Sequence, residues 1–153
     1  ISLQNIDFMQ RSCEIALNIG RKNKHLLDRL AALEAMSLIT EHAFRYLGVQ
    51  RVYAGQAYPL LKNWTKMLEL IGYKTEGFRC MSFVKGCKVH DVVLIACHYE
   101  DFQKLKKLRG SLWGSKKFIR NLISKQPKKG FADVLHENIE SSREEHFRFL
   151  EDI

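Results

Sequence analysis

The sequence has 153 residues, which is too short for two full domains. Its content of 46% apolar residues is enough for one hydrophobic core. An excess of 25 Lys and Arg over 17 Asp and Glu gives a net charge of +8, which favours anionic partners such as nucleotides, nucleic acid or acidic surfaces. The longest strongly apolar run, residues 92–97, is far shorter than the roughly 20 residues of a membrane span, so no membrane partner is expected.

The chain opens with two short β-type runs, residues 1–6 and 13–19, separated by a polar turn. This arrangement predicts two neighbouring antiparallel strands. The first run starts inside a strand pattern and carries no initiating Met, so we expect the sequence to be a piece of a longer chain.

Residues 30–47 change to a helical period. One broad apolar stripe of an amphipathic helix is predicted, and its members are Leu30, Leu33, Met36, Leu38, Ile39, Ala43, Phe44 and Leu47. Gly48 is placed to end this helix in a left-handed conformation. A short strand is predicted at residues 51–54, followed by a second helix that opens at Tyr58, has Pro59 in its first turn and stops at Gly72.

Two further strands, residues 73–84 and 89–98, are joined through Lys85 and Gly86, where Gly86 can supply a positive φ in a hairpin. The order strand, strand, helix, strand, helix, strand, strand predicts a mixed α/β (α+β) domain. Its sheet is expected to be mostly antiparallel and flanked by helices.

The composition shifts after Asp101. Residues 103–129 hold ten basic and no acidic side chains, whereas residues 131–153 hold seven acidic and two basic ones. We predict a charged helical tail over residues 103–153 whose two blocks fold back on each other or dock on a partner chain. Nucleic-acid binding by residues 104–129 is the weaker alternative, because only Trp113 and Phe118 are placed to stack on bases.

Four cysteines form no close CxxC pair and lie in no small secreted framework: Cys13, Cys80, Cys87 and Cys97. We interpret them as reduced thiols of a cytoplasmic protein. Cys87, His90 and Asp91 could approach a metal, but the sequence offers no second ligand pair at the usual spacing, so no metal site is predicted.

Several segments together resemble the acetyl-CoA-dependent GNAT N-acetyltransferases. In chain order they are residues 1–7 (ISLQNID), 13–20 (CEIALNIG), 34–35 (EA), 43–48 (AFRYLG), 51–52 (RV), 68–77 (LELIGYKTEG) and 91–94 (DVVL). The resemblance covers residues 1–102 and is strongest to the branch of ribosomal-protein N-terminal and amino-sugar acetyltransferases. It implies that the chain begins at the third strand of the fold. It also implies transfer of an acetyl group from acetyl-CoA to an amine, and a homodimer as the assembly.

The resemblance also implies roles for particular residues. Backbone donors for the thioester carbonyl lie along the strand that matches residues 13–19, which places Leu17, Asn18 and Ile19 in the cofactor site. Glu14 matches a recurrent acidic position and can act as a base through water, although a solvated strand carboxylate is an equally good interpretation.

The phosphate-binding loop departs from the family pattern. Leu27, Leu30 and Ala32 fall on its three signature positions, which hold Gln or Arg, then Gly, then Gly or Ala, and only Ala32 fits. Leu30 is expected to place a branched side chain where the phosphate oxygens would press. The helix start that would receive the pyrophosphate comprises Asp28, Arg29, Leu30, Ala31 and Ala32. Three alternatives stay open. The loop binds CoA in a shifted form through Arg21, Lys22, Lys24 or Arg29, it binds CoA weakly, or it no longer binds it.

The second helix also departs from the family. Leu68 occupies the position of the tyrosine that protonates the leaving thiolate, and Asn63 lies two places after the expected asparagine. Tyr58 or Tyr73 can donate instead, although packing is the simpler role for each. The leading hypothesis is an N-acetyltransferase that acts on a protein N-terminus or an amino sugar. The alternative is a GNAT-like binding or regulatory module with a degenerate CoA loop.

Overall fold

The computed structural model describes residues 1–18 and 30–151. In these ranges the chain forms five strands and five α-helices. They are β1 Ser2–Asp7, β2 Ser12–Ala16, α1 Ala31–Tyr46, β3 Arg51–Tyr58, α2 Lys62–Glu69, β4 Lys74–Lys85, β5 Lys88–His98, α3 Tyr99–Arg109, α4 Lys116–Lys125 and α5 Phe131–Phe147, followed by a 3-10 turn at Arg148–Leu150.

All five strands belong to one sheet with the order β1-β2-β3-β5-β4. β2 and β3 are parallel, and the other three neighbouring pairs are antiparallel. The parallel pair needs a crossover connection, and α1 supplies it. The predicted mixed, mostly antiparallel sheet with flanking helices and a C-terminal helical tail is confirmed.

Helix α1 packs one side against the sheet. Leu33, Met36, Ala43 and Phe44 are buried, as the apolar stripe predicts. Leu38 was wrongly assigned to that stripe, because it lies on the outer side of the helix with 59% of its surface exposed. The helix ends before Gly48, whose φ of 67° is the predicted left-handed conformation.

The predicted boundary between the third strand and the second helix is wrong. β3 continues to Tyr58, four residues beyond the predicted end at Ala54, and α2 begins only at Lys62. Pro59 favours an extended conformation for the residue before it, so Tyr58 completes the strand. A turn follows, in which the amide of Lys62 donates to the carbonyl of Pro59 over 3.2 Å.

β4 and β5 form a long hairpin that turns at Gly86, where φ is 63° as predicted. The root of the hairpin packs in the core through Val93, Ile95 and Cys97. Its outer half is exposed on both faces, from residue 80 to residue 89.

The helices after β5 pack on the domain. Phe102 of α3 is 1% exposed and stacks on Phe44 of α1, with ring centroids 5.4 Å apart. The Glu41 carboxylate accepts the amide hydrogen of buried Leu112 over 2.6 Å. Arg109 donates to the carbonyls of Leu70, Ser111 and Leu112, so this member of the basic block is part of the packing. The predicted boundary at residues 102/103 falls inside α3, and the division into two parts stays a prediction.

Helix α5 lies against α2 and the β4–β5 hairpin. The backbone amide of Phe131 donates to the Glu69 carboxylate over 3.0 Å, and burial raises the pKa of Glu69. Lys129 pairs with Glu137 at 2.6 Å, which joins the basic and acidic blocks locally. Among the helices of the described ranges, none has the length and apolarity needed to cross a bilayer.

Candidate active site

The parallel strands β2 and β3 separate after three residue pairs. Their register runs from Ser12–Arg51 to Glu14–Tyr53. β2 then continues to Ala16 and β3 to Tyr58 without further pairing between them. We call this opening the notch. It lies at the carboxyl ends of two parallel strands, which is where open α/β sheets bind ligands.

The N-terminus of α1 lies at the same end of the sheet, because α1 connects the carboxyl end of β2 to β3. Within the described residues, the amide of Glu34 donates to the carbonyl of Leu30 over 2.9 Å at this end of the helix. The helix dipole gives this end a partial positive charge. Ala31 and Ala32 in this turn are only partly buried and have small side chains.

Leu30 does not place its side chain among these amides. Only 5% of Leu30 is exposed, and it belongs to the core cluster together with Leu33. The plain structural interpretation of this leucine, an extension of the helix's apolar stripe, is therefore the one that the geometry supports. Residues Ile19, Asp28 and Arg29, together with Arg21, Lys22, Lys24 and Leu27, lie outside the described ranges.

Glu14 stands at the vertex of the notch. Cys13 and Ile15, its neighbours along β2, are buried on the face that the helices cover. Alternation in the strand puts Glu14 on the opposite face, next to its cross-strand partner Tyr53. Its carboxylate oxygen Oε2 accepts a hydrogen bond of 2.7 Å from the side-chain amide of Asn5.

Tyr58 stands at the mouth of the notch and is tied to α5. Its hydroxyl donates to Oδ1 of Asp133 over 2.8 Å, and its ring contacts Phe78 and His136 at centroid distances of 5.1 and 4.8 Å. Burial, then the hydrogen bond to Asp133 and the charges of Asp133 and Glu137, raise the pKa of Tyr58 above its ordinary value. The phenol is therefore a neutral group whose hydrogen is already donated.

Glu14 and Tyr58 do not form one catalytic pair. Tyr58 lies five residues beyond Tyr53, the cross-strand partner of Glu14, which is about 16 Å along a strand. The register Ala54–Ile95 and Tyr58–Asp91 also puts Tyr58 on the helix-covered face, opposite to Glu14. The structure thus places the two sequence-predicted catalytic residues at the two ends of the notch.

The other predicted site residues are distributed around the notch. Leu17 packs against the core just after β2, and Asn18 is exposed beside it. Asn63 is exposed in the first turn of α2, which follows the carboxyl end of β3. Leu68 is fully buried, and Tyr73 is 1% exposed with its hydroxyl 2.6 Å from Thr40 Oγ1. Tyr73 is therefore a packing residue and not a proton donor at the notch.

Sequence reasoning missed two residues that hold the predicted ones. Asn5 contacts Glu14, and Asp133 contacts Tyr58 while it also accepts the amide hydrogen of Gly130 over 3.1 Å. An acidic residue three positions after Gly130 is a helix-start signal and was available in the sequence. Its pairing with Tyr58, 75 positions away, was not.

A cavity of about 490 Å³ lies at the amino ends of β2 and β3, where Phe8, Arg11, Gln50 and Tyr99 line it. No group of three or more metal-ligating side chains occurs within residues 1–18 and 30–151. The four cysteines are free thiols, and Cys13 and Cys97 are buried.

No protein-family model and no curated protein matches the sequence. The structure is similar to spermidine N-acetyltransferase SpeG from Vibrio cholerae in complex with CoA and spermine, with a TM-score of 0.57 and 20% identity over 65% of this chain and 56% of that one. A chimera of Vibrio cholerae SpeG and hSSAT has a TM-score of 0.59 and 19% identity, over 67% of this chain and 60% of that one. The structure of a probable acetyltransferase has a TM-score of 0.55 and 22% identity, over 65% of this chain and 54% of that one.

These similarities establish the fold. The chain has a GNAT-like α/β fold. It spans between 54% and 60% of the length of these three structures.

Proposed function

We propose that this chain is the acetyl-CoA-binding part of an N-acetyltransferase that acylates a primary amine. The observation that carries the proposal is the notch between β2 and β3, with the N-terminus of α1 at its open end. A thioester arm fits between two strands that no longer pair, and a diphosphate fits at first-turn amides flanked by Ala31 and Ala32. The burial of Leu30 in the core supports this fit, because its side chain does not fill the niche.

Acetyl-CoA, when bound, supplies an activated acetyl thioester. The backbone of residues 14–18 borders the notch and offers amide donors to a carbonyl there, a device worth roughly 3 kcal/mol per donor in other enzymes. Leu17, Asn18 and Asn63 border the pantetheine path, and residues 28–32 receive the diphosphate. Ile19, Asp28 and Arg29 are assigned by the family resemblance alone.

Glu14 is proposed as the general base. An amine attacks only when it is neutral, so a carboxylate near the vertex must take up its proton directly or through one water. Glu14 is partly exposed and faces the side of the sheet opposite the helices, where an acceptor can approach. Tyr58 lies too far from the vertex to serve the same reacting atom, and we propose that it shapes the mouth of the notch.

The acceptor is proposed to be a primary amine, with a polyamine as the first candidate. SpeG from Vibrio cholerae was crystallised with CoA and spermine. A protein N-terminus and an amino sugar remain the alternatives, as the sequence resemblance implies.

The competing proposal is a non-catalytic module that keeps the fold and has lost the cofactor. Leu68 and buried Tyr73 favour it, because neither supplies a phenol at the notch. The nucleic-acid alternative has weaker support: Trp113 is 7% exposed, and the guanidinium of Arg109 lies 5.6 Å from the ring centroid of Phe118.

A turnover assay separates the first two proposals. The chain is incubated with acetyl-CoA and, separately, with spermine, a peptide with a free N-terminus and glucosamine, and products are identified by mass spectrometry. Acetylation of one amine that falls by about 10²-fold or more in Glu14→Gln, to a residual rate that can still be measured, supports the enzyme. The absence of product in all three reactions, together with no binding of acetyl-CoA, supports the module.

We also propose a cytoplasmic location and a homodimer. Exposed Cys80 and Cys87 are free thiols, which suits a reducing compartment. β1 and β4 are the two edge strands of the sheet, and an edge strand offers backbone groups to a second chain. Light scattering coupled to size-exclusion chromatography gives the mass that decides the assembly.

A further inference from the structure

Strand β1 contains one residue more than its partner strand at the level of Cys13. Gln4 pairs with Glu14 and Asp7 pairs with Ser12, so Asn5 and Ile6 together stand opposite the single residue Cys13. This is a β-bulge. Its first residue, Asn5, has a φ of 47°. Glycine is the residue that usually takes this position, and asparagine is among the few others that tolerate it.

The bulge changes the direction of the Asn5 side chain. In a regular strand, successive side chains alternate, so the Asn5 side chain would point to the face opposite Gln4. That is the face of Cys13, which the helices cover. In the left-handed conformation its amide instead reaches Glu14, and Nδ2 donates to Oε2 over 2.7 Å. Bulges often re-aim a side chain in this way next to functional sites.

The bond fixes one oxygen of Glu14 and leaves the other available. Within residues 1–18 and 30–151, Oε2 accepts from Asn5 and no protein donor reaches Oε1. A glutamate side chain at a partly exposed strand position has several rotamers, and one charge-assisted hydrogen bond restricts them. Oε1 is the oxygen left to accept a proton from an amine at the vertex.

We propose that Asn5 is a positioning residue that orients the carboxylate of Glu14 at the vertex of the notch. The inference rests on the proposed function, because Glu14 acts as the base only if the chain transfers acetyl groups. If the role were purely structural, the bond would only hold β1 and β2 together. The two roles predict different results when the side chain is removed without disturbing the backbone.

Asn5→Gly is the variant that separates them. Glycine adopts the conformation of Asn5 without strain, so the bulge is kept while the amide donor is lost. We expect an unfolding midpoint no lower than that of the wild type. We also expect kcat to fall on the order of tenfold, since a misplaced catalytic group costs one to two orders of magnitude, with KM for acetyl-CoA unchanged. Asn5→Asp keeps the shape, puts a like charge beside Glu14, and should reduce kcat further.

The dependence on Glu14 is tested in a double-mutant cycle with the best acceptor among spermine, the peptide and glucosamine. In a Glu14→Gln background, Asn5→Gly should change kcat less than about twofold, because a positioning residue has no effect without the group it positions. The side-chain amide resonance of Asn5, assigned through its loss in Asn5→Gly, should shift in Glu14→Gln. This readout needs no activity.

Each result bears on a defined claim. Wild-type turnover with an unchanged kcat in Asn5→Gly, or an equal loss in the Glu14→Gln background, overturns the positioning role and leaves the proposed function standing. An Asn5 side-chain amide resonance whose chemical shift does not change in Glu14→Gln overturns the contact itself. A wild-type chain that turns over none of the three amines removes the proposed function and this inference with it.

Discussion

The hydroxyl of Tyr58 donates to Asp133 over 2.8 Å, and this bond joins the last residue of β3 to the first turn of α5. Asp133 also accepts the amide hydrogen of Gly130, so one carboxylate both caps the helix and holds the strand. The C-terminal helix is thereby fastened beside the mouth of the notch. Any ligand that enters from this end meets a side of the mouth formed by residues far apart in sequence.

Removing the Tyr58 hydroxyl should loosen this junction. We expect Tyr58→Phe to lower the free energy of unfolding by about 1 kcal/mol, the usual net contribution of one hydrogen bond. Asp133→Asn should cost less than Asp133→Ala, because asparagine keeps an acceptor oxygen for one of the two donors, which bind different oxygens of Asp133. Urea denaturation gives the values, with exposed Tyr46→Phe as the control. Equal stability of Tyr58→Phe and Tyr46→Phe would contradict the junction.

The burial of Leu30 leads to a second prediction. Leu30→Ala should lower the free energy of unfolding by about 2–4 kcal/mol, the range for a buried leucine, while Leu38→Ala on the same helix should change it by less than about 0.5 kcal/mol. Leu30→Gly would restore the glycine of the family pattern and should be at least as destabilising. A stable Leu30→Gly variant that binds acetyl-CoA more tightly would show that leucine obstructs the phosphate niche.

Arg109 provides a third test, of the packing of residues 103–153 on the domain. Its guanidinium serves three backbone carbonyls, and burial lowers its pKa from the ordinary value. Lysine cannot reproduce this planar set of donors. Arg109→Lys should therefore lower the free energy of unfolding by about 1–3 kcal/mol, whereas exposed Lys107→Ala should not change it measurably. Identical denaturation curves for the two variants would mean that the contacts do not stabilise the fold.

Asp91 gives a pH-dependent prediction. The hydrogen bond from the amide of Met81, and then His136, hold the pKa of Asp91 below its ordinary value of 3.8. A carboxylate with a lowered folded-state pKa stabilises the fold above its unfolded value, and this contribution is lost as the pH falls through the folded value. Asp91→Asn should be less stable than the wild type at pH 7, and the difference should shrink near pH 3. A difference that stays constant with pH would reject this linkage.

The sequence predicted the sheet because its signals are local. The alternation in residues 1–6 and 13–19, Gly48 with φ 67° and Gly86 with φ 63° each act within a few residues, and the structure confirms the elements they mark. The end of β3 was missed because Pro59 was assigned to a helix start. Its other effect, an extended conformation at Tyr58, determined the boundary.

The site was predicted less completely, since it depends on contacts between distant residues. Glu14 was found through a family position, but its partner Asn5 is turned toward it by a bulge that leaves no clear mark in the sequence. Leu30 was expected to obstruct the phosphate niche because it occupies a position where the family usually has glycine. Whether a side chain at the start of a helix points into the core or into a niche is decided by packing.

The central claim, that the notch and the start of α1 accept acetyl-CoA, is tested most directly by a thermal-shift and calorimetric titration. At 100 times its dissociation constant, acetyl-CoA should stabilise the folded chain by about 2.7 kcal/mol. Adenosine 3′,5′-bisphosphate, which lacks the pantetheine arm, should bind more weakly, because it cannot enter the notch. No shift and no heat at millimolar acetyl-CoA would contradict the claim.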